Sequence, residues 1–379
     1  MLLRLLMGEV GSGKTHWIHR KILSDAQGLP QERNILIVPE QITLSEQKTL
    51  IQEHSGHGLI GTDVLSFQRL AHRVLSEQGE KDLVVLDEVG KSMLLYRLAQ
   101  EQAPQLAYYG GSVHSAGFLQ RLKSLFSEFA QYEISQETLQ RAMEQTEKES
   151  SLHLKLQDLA LLHGAYEEAL LQYGQISEKL LDRLAEKLPD SRLVRGARIY
   201  VDDFYGFTPQ QLRVLTLLVH YAGEVTISLT IPEAAAREVE RGQESEKGDL
   251  FDTSRRTLAA LYEAAKQMRI PVQEVYMRAA EENCLSHTAR EFFKVPPRPW
   301  SGEKNAVHLY AASGCRAEVQ RMFEQIVYLI REQGYQYRQI GVAVSDAGTY
   351  QGLIRQYAQE YGFPIFMDET GGVMSHPFI

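Results

Sequence analysis

The stretch Gly8-Glu9-Val10-Gly11-Ser12-Gly13-Lys14-Thr15 fills every defining position of G-x-x-x-x-G-K-[ST], and it dictates what must surround it. Such a loop requires a strand before it and a helix after it. The apolar run Leu2 to Met7 reads as the strand, and Thr15 to Ser24 reads as the helix. In that setting the glycines let backbone N–H groups close around phosphates at a helix N-terminus. Lys14 then meets the outer phosphates and Thr15 offers its hydroxyl to Mg²⁺. Gly8, Gly11, Ser12, Gly13, Lys14 and Thr15 are therefore the expected nucleotide-binding set, with ATP and Mg²⁺ as the expected ligands.

The text after the loop repeats the same alternation. Asn34 to Val38 is a second apolar run, ended by Pro39-Glu40-Gln41-Ile42-Thr43 and followed by a helical stretch, Leu44 to His54. Leu59 to Ser66 then leads through a third short strand into Phe67-Gln68-Arg69-Leu70-Ala71-His72-Arg73. Strand, loop and helix in alternation imply a parallel sheet with helices on its faces and ligands at the C-terminal strand ends. From Val89 to Pro189 the periodicity is helical almost throughout, as in Gly117 to Tyr132 and Leu152 to Tyr173. Strand character returns at Ala197 to Val201, which runs into Asp202-Asp203-Phe204-Tyr205-Gly206-Phe207, and again at Glu224 to Thr230. Glu238 to Lys247 reads as a charged loop, and Val295-Pro296-Pro297-Arg298-Pro299 as a stiff linker. Beyond it Val307 to Ala311, Ala317 to Gln333 and Ile340 to Val344 start a second strand–helix–strand pattern that is not completed.

The expected fold class is thus α/β: a RecA-like phosphate-loop parallel sheet with a large all-helical insertion and the beginning of a second RecA-like domain. The expected division is 1–105 plus 195–285 for the first domain, 106–194 for the insertion, and 286–379 for the linker and the truncated second domain. A chain of 379 residues with 44% hydrophobic content can bury cores of this number. No apolar run is long enough to span a bilayer and no signal-peptide pattern opens the chain, so a cytoplasmic protein without membrane contact is expected. Cys284 and Cys315 have no partner spacing for a disulfide or metal framework. The net charge of −9 argues against a protein that coats nucleic acid without selectivity. Yet residues 1–75 hold 8 Lys and Arg against 7 Asp and Glu, so a polyanion site belongs in that segment.

A phosphate-loop hydrolase also needs an acidic residue at another strand end to orient Mg²⁺. Two places offer one. Val84-Val85-Leu86-Asp87-Glu88 is followed at once by a helical stretch, which makes Asp87 an N-cap. Asp202-Asp203 follows the stronger strand, so Asp202 is expected as the second Mg²⁺ ligand, with Asp203 beside it as a degenerate catalytic partner.

These residues, in this order, resemble the first motor domain of superfamily 1 helicases of the UvrD type. ILIVPEQIT, GTDVLSFQRLAHRVL and VDDFYGFTPQQ in particular are similar to the AddB family, the second subunit of bacterial AddAB helicase–nucleases, with RexB a relative. The resemblance extends through GYQYRQIGVAVSD and GFPIFMD to the terminal HPFI and so covers essentially the whole chain. It implies binding of the 3′-ended strand of single-stranded DNA during double-strand break repair, scanning for the Chi sequence, and a heterodimer with the AddA helicase–nuclease subunit. The DNA contacts it implies are Gln41, Thr43, Ser66, Phe67, Arg69, His72 and Phe207. Read by themselves, Phe67 and Phe207 also suit a core, Arg69 a pairing with Glu40 or Glu46, and His72 a plain surface position.

Departures from the pattern are as informative. Only seven residues precede Gly8, too few for a glutamine motif that reads adenine. Asp203 is one methylene shorter than the glutamate expected to activate water. Arginine fingers, which contribute about 10³ to 10⁵ in rate, would come from residues beyond 379, as would a nuclease domain with an iron–sulfur cluster. The expectation is a nucleotide-binding fold with little ATPase activity. An active translocase motor remains open, as does, more remotely, a phosphate-loop kinase or metabolic ATPase.

Overall fold

A computed structural model describes residues 1–26, 33–54, 60–80, 85–148, 150–173, 175–176, 179–243, 248–278, 283–292, 294–303 and 306–367. These divide into two compact units, Met1–Arg298 and Pro299–Ile379. The expected turn at Gln27 to Pro30, the breaks at Gly56 and Gly58, and the terminal HPFI lie outside the described residues.

In the first unit the chain runs β1 (Leu3–Gly8), α1 (Lys14–Ala26), β2 (Asn34–Ile37), a 3-10 turn (Glu40–Ile42), α2 (Thr43–Glu53), β3 (Thr62–Leu65) and α3 (Phe67–Glu77). It continues β4 (Val85–Leu86), α4 (Glu88–Gln102), α5 (Ala116–Gln131), α6 (Gln136–Glu144), α7 (Ser151–Tyr173), β5 (Gln175–Ile176) and α8 (Leu180–Lys187). Then come β6 (Arg198–Val201), α9 (Pro209–Tyr221), β7 (Glu224–Thr230), α10 (Glu233–Glu240), α11 (Asp252–Met268), β8 (Val272–Tyr276) and α12 (Cys284–Glu291).

Six of these strands form one sheet in the order β3-β2-β6-β7-β1-β8, every pairing parallel. Its strands are short apolar runs because both faces are covered. Successive side chains point to opposite faces, and β1 divides its residues accordingly. Leu3, Leu5 and Met7 join the core made with Leu70 and Val74 of α3, Leu184 of α8, Val214 and Leu218 of α9, and Leu258 and Leu261 of α11. Leu6 faces the other way, onto Ile18 and Ile22 of α1, Leu50 of α2 and Tyr200 of β6. Each such fully buried aliphatic contributes about 1.5–3 kcal/mol relative to exposure. The register places Gly8 beside Thr230 and Ile37 beside Val201, so the phosphate loop, Pro39-Glu40, Ser66 and Asp202 all emerge at one edge of the sheet.

The helical text folds around its own core, in which Leu94, Leu95 and Leu98 of α4 meet Leu122 and Phe126 of α5 and Leu162 and Tyr166 of α7. Strands β4 and β5 pair in parallel beside it. Asp87 is an N-cap, as expected: its carboxylate accepts the Gly90 N–H at 2.7 Å.

Two features depart from expectation. Strand β8 has no counterpart among the expected strands; as an edge strand it pairs only with β1, and its residues are half-buried rather than buried. The segment Glu238 to Lys247 begins as the end of α10 rather than as loop, while 244–247 lie outside the described residues.

The second unit is built on α13 (Cys315–Arg331) and α14 (Ala347–Tyr361), which pack through Val319, Phe323, Tyr357 and Ala358. The strands expected at 307–311 and 340–344 do not form; both segments lack regular structure. A strand exists only through its ladder, and neither segment has a strand beside it among the described residues.

Candidate functional site

The phosphate loop takes the shape its glycines permit. Gly11 (φ 76°) and Gly13 (φ 85°) occupy the left-handed region, where a side chain is strained and successive N–H groups turn inward as an anion nest. A Cβ on Gly8 would lie 2.5 Å from the Met277 carbonyl oxygen, so the first glycine is fixed by close packing against the end of β8. Lys14 folds back over the loop and donates to the carbonyls of Gly8 and Glu9, both at 2.9 Å. Burial pushes its pKa below the usual lysine value against the opposing pull of Asp202 and Glu9.

Beyond the loop opens a cavity of about 540 Å³. Gly11 to His16, His19, Glu46, Thr49, Glu53, Asp202 to Tyr205, Ser228 and Thr230 line it. Four strand-to-helix connections thus meet there, from β1, β2, β6 and β7. Asp202 is buried and accepts a hydrogen bond from the Ser228 hydroxyl. Asp203 is exposed with φ 63°, an uncommon backbone state for a residue with a side chain. Partial burial, then the charges of Asp202 and Glu46, raise its pKa. Tyr205, which no motif in the sequence singles out, stands 90% exposed at the rim. The loop, Thr15 and Asp202 fit a magnesium nucleotide: a nest for phosphate, a hydroxyl and an anionic carboxylate at a neighbouring strand end.

The expected DNA contacts separate into two groups. Gln41, Arg69 and His72 are exposed. Arg69 donates from Nε to Glu40 Oε1 at 2.9 Å, one of the two pairings its sequence position allowed. Thr43 is buried and donates to the Glu40 carbonyl at 3.0 Å, while Ser66 caps α3 and donates to the Glu40 carboxylate. Phe67, expected to offer a stacking face, is only 4% exposed. Its ring meets Phe204 at 5.5 Å and Phe207 at 6.3 Å in edge-on contacts. Glu40, which the motifs do not mark, is thus the hub on which the 39–43 loop and the start of α3 converge.

A second cavity, about 400 Å³, adjoins the other flank of the loop. Gly8, Glu9 and Val10 form one wall, and Tyr276, Met277, Arg278, Ser286 and Arg290 the other. No sequence motif points to it, because the wall depends on β8. Neither cavity lies near a spanning segment: no helix among the described residues is long and apolar enough to cross a membrane.

The family described as ADDB, N-terminal matches the chain over residues 5–290. Among curated proteins the chain is similar over all of its length to the AddB subunit of the ATP-dependent helicase/deoxyribonuclease of Lachnoclostridium phytofermentans, at 30% identity, covering 34% of that protein. The proteins of the same description from Geobacillus kaustophilus and Alkaliphilus metalliredigens are 32% and 29% identical, each covered to 33%. The chain spans about a third of the length of the curated relatives it matches.

Proposed function

Because the chain belongs to the ADDB N-terminal family, we propose that it is the nucleotide-binding, DNA-facing part of the AddB subunit of an ATP-dependent helicase/deoxyribonuclease. The observation that carries this reading is the convergence of Lys14, Thr15 and Asp202 on one cavity, at the same sheet edge as the 39–43 and 66–73 loops. Mg²⁺ and the outer phosphates of ATP are held by Thr15, Asp202 and Lys14. The nucleoside end occupies the second cavity, where Tyr276 and Met277 provide apolar surface and Arg278 and Arg290 polar contacts. The helical core is the insertion domain, and 286–379 belong to a second RecA-like domain.

Single-stranded DNA, the 3′-ended strand, runs across the exposed Gln41, Arg69 and His72. Thr43, Ser66, Phe67 and Phe207 hold that surface in place from beneath. The Arg69–Glu40 pair is solvent-exposed and contributes little to stability, so Arg69 can exchange its carboxylate for a phosphate. The partner is an AddA-type helicase–nuclease in a heterodimer that scans for Chi and feeds recombinational repair. Hydrolysis by this part is slow, because the short, backbone-strained Asp203 is a poor carrier for the attacking water's proton.

The test is titration with Mg–ATP and with a short single-stranded oligonucleotide across a salt series, for wild type, Lys14→Ala and Arg69→Ala/His72→Ala. Lys14→Ala should lose ATP, and the double variant should lose DNA with a shallower salt slope. DNA-stimulated turnover of several ATP per second would replace the scaffold by an active motor. ATP binding with no single-strand affinity would point to a phosphate-loop enzyme of another class.

A further inference from the structure

His19 lies one helical turn beyond Thr15 on α1, and the phosphate chemistry above does not use it. Its side chain is 4% exposed and wedged against α2. Nε2 lies 2.8 Å from Glu46 Oε2 and Nδ1 lies 3.2 Å from Glu53 Oε2. A neutral imidazole has a single N–H and could serve only one of these acceptors; only the imidazolium donates from both nitrogens. Burial opposes that charge, but the hydrogen bond and charge of Glu46, with the charges of Glu53 and Asp202, outweigh it and raise the His19 pKa.

The setting gives this cation a purpose. The cavity that would receive the outer phosphates is lined by four carboxylates, Glu46, Glu53, Asp202 and Asp203, and only Lys14, His16 and His19 are basic. Mg²⁺ at Thr15 and Asp202 compensates one carboxylate. Glu46 and Glu53, on the α2 wall, would still repel a polyanion, and like charges brought together at a binding site are strongly unfavourable.

We propose that His19 is a positioning residue of the phosphate site, a charge bridge that neutralises Glu46 and Glu53 and pins α2 to α1 so that the cavity admits a nucleoside triphosphate. This rests on the nucleotide-binding reading above. It makes α2 the element through which occupancy of the phosphate site reaches the Glu40 hub, since the 3-10 turn Glu40–Ile42 leads directly into α2.

The test measures Mg–ATP dissociation constants at one pH for wild type, Lys14→Ala, His19→Gln, Glu46→Gln/Glu53→Gln and the triple variant combining the last two. His19→Gln should weaken binding by about tenfold or more. The triple variant should recover to within about threefold of wild type, because the charge that needed neutralising is gone. The carboxylate double variant keeps His19 and should bind at least as tightly as wild type, which holds the proposal to account even where His19→Gln folds poorly. Wild-type affinity in His19→Gln, a triple variant as weak as His19→Gln, or lost binding in the double variant would each overturn the bridge while leaving the nucleotide reading intact. Wild type and Lys14→Ala equally unable to bind ATP would overturn both.

Discussion

Asp158 and His19 show how differently single buried charges act in this chain. The Asp158 carboxylate accepts the backbone N–H groups of Ala107, Tyr108 and Tyr109, all at 2.8 Å, and so ties the loop after α4 to α7. Asp158→Ala strands three donors and should cost about 3 kcal/mol or more, read as a lowered denaturation midpoint of the helical core. His19 acts instead through its protonation. Its folded pKa lies above the ordinary value of 6.5, so its contribution is fully present below that pH and is lost as pH rises through the folded value. Denaturation curves of wild type and His19→Gln should therefore differ most near pH 6 and converge in alkaline solution; a gap that stays constant with pH would remove the charge from the account. Neither role was legible in the sequence. The phosphate loop and the Asp87 cap were, because each is a local pattern complete within a few residues. A partner 27 or more positions away on another helix leaves no such trace.

At the scale of elements, α3 carries two residues that the sequence treated alike and the fold treats in opposite ways. Phe67 and Arg69 are two positions apart on a helix, so they cannot share a face. The face holding Leu70, Ala71 and Val74 is buried, which draws Phe67 into the aromatic trio with Phe204 and Phe207 and leaves Arg69 in solvent. Phe67→Ala should accordingly lose about 3–5 kcal/mol of stability. Arg69→Ala should stay within about 0.5 kcal/mol of wild type in denaturant while weakening oligonucleotide binding. Reversal of that pattern would return Phe67 to the binding surface. Strands β1, β2, β6 and β7 were readable because interior parallel strands are continuous apolar runs. The alternation Val272-Gln273-Glu274-Val275-Tyr276 in β8 carries too many polar residues for that signature, as suits an edge. The second cavity, walled by the end of that strand, was hidden with it.

The whole molecule sets against each other two kinds of apolar segment that look the same in the sequence. Asn34–Ile37 and Ile340 to Val344 are both short β-prone runs after a turn. The first is a fully buried strand hydrogen-bonded on both sides, by β3 and β6. The second has no regular structure, and Val342 and Val344 stand 49% and 42% exposed. Propensity for extended backbone is common to both; what differs is a neighbour to pair with, which a local reading of the chain does not supply. Helices α13 and α14 need no such neighbour, since their backbone hydrogen bonds are internal and Phe323 with Tyr357 gives them a small core. Amide hydrogen exchange resolves the contrast directly. Amides of β1, β2, β6 and β7 should exchange only through large-scale unfolding, those of α13 and α14 faster, and those of 307–311 and 340–344 at close to unstructured rates. Protection of the last two segments as strong as that of β1 would mean that they pair into a sheet after all. If a longer polypeptide protects those amides without altering β1, then strands from outside the described residues complete a second sheet, and the apolar side chains of 340–344 are its unfinished core.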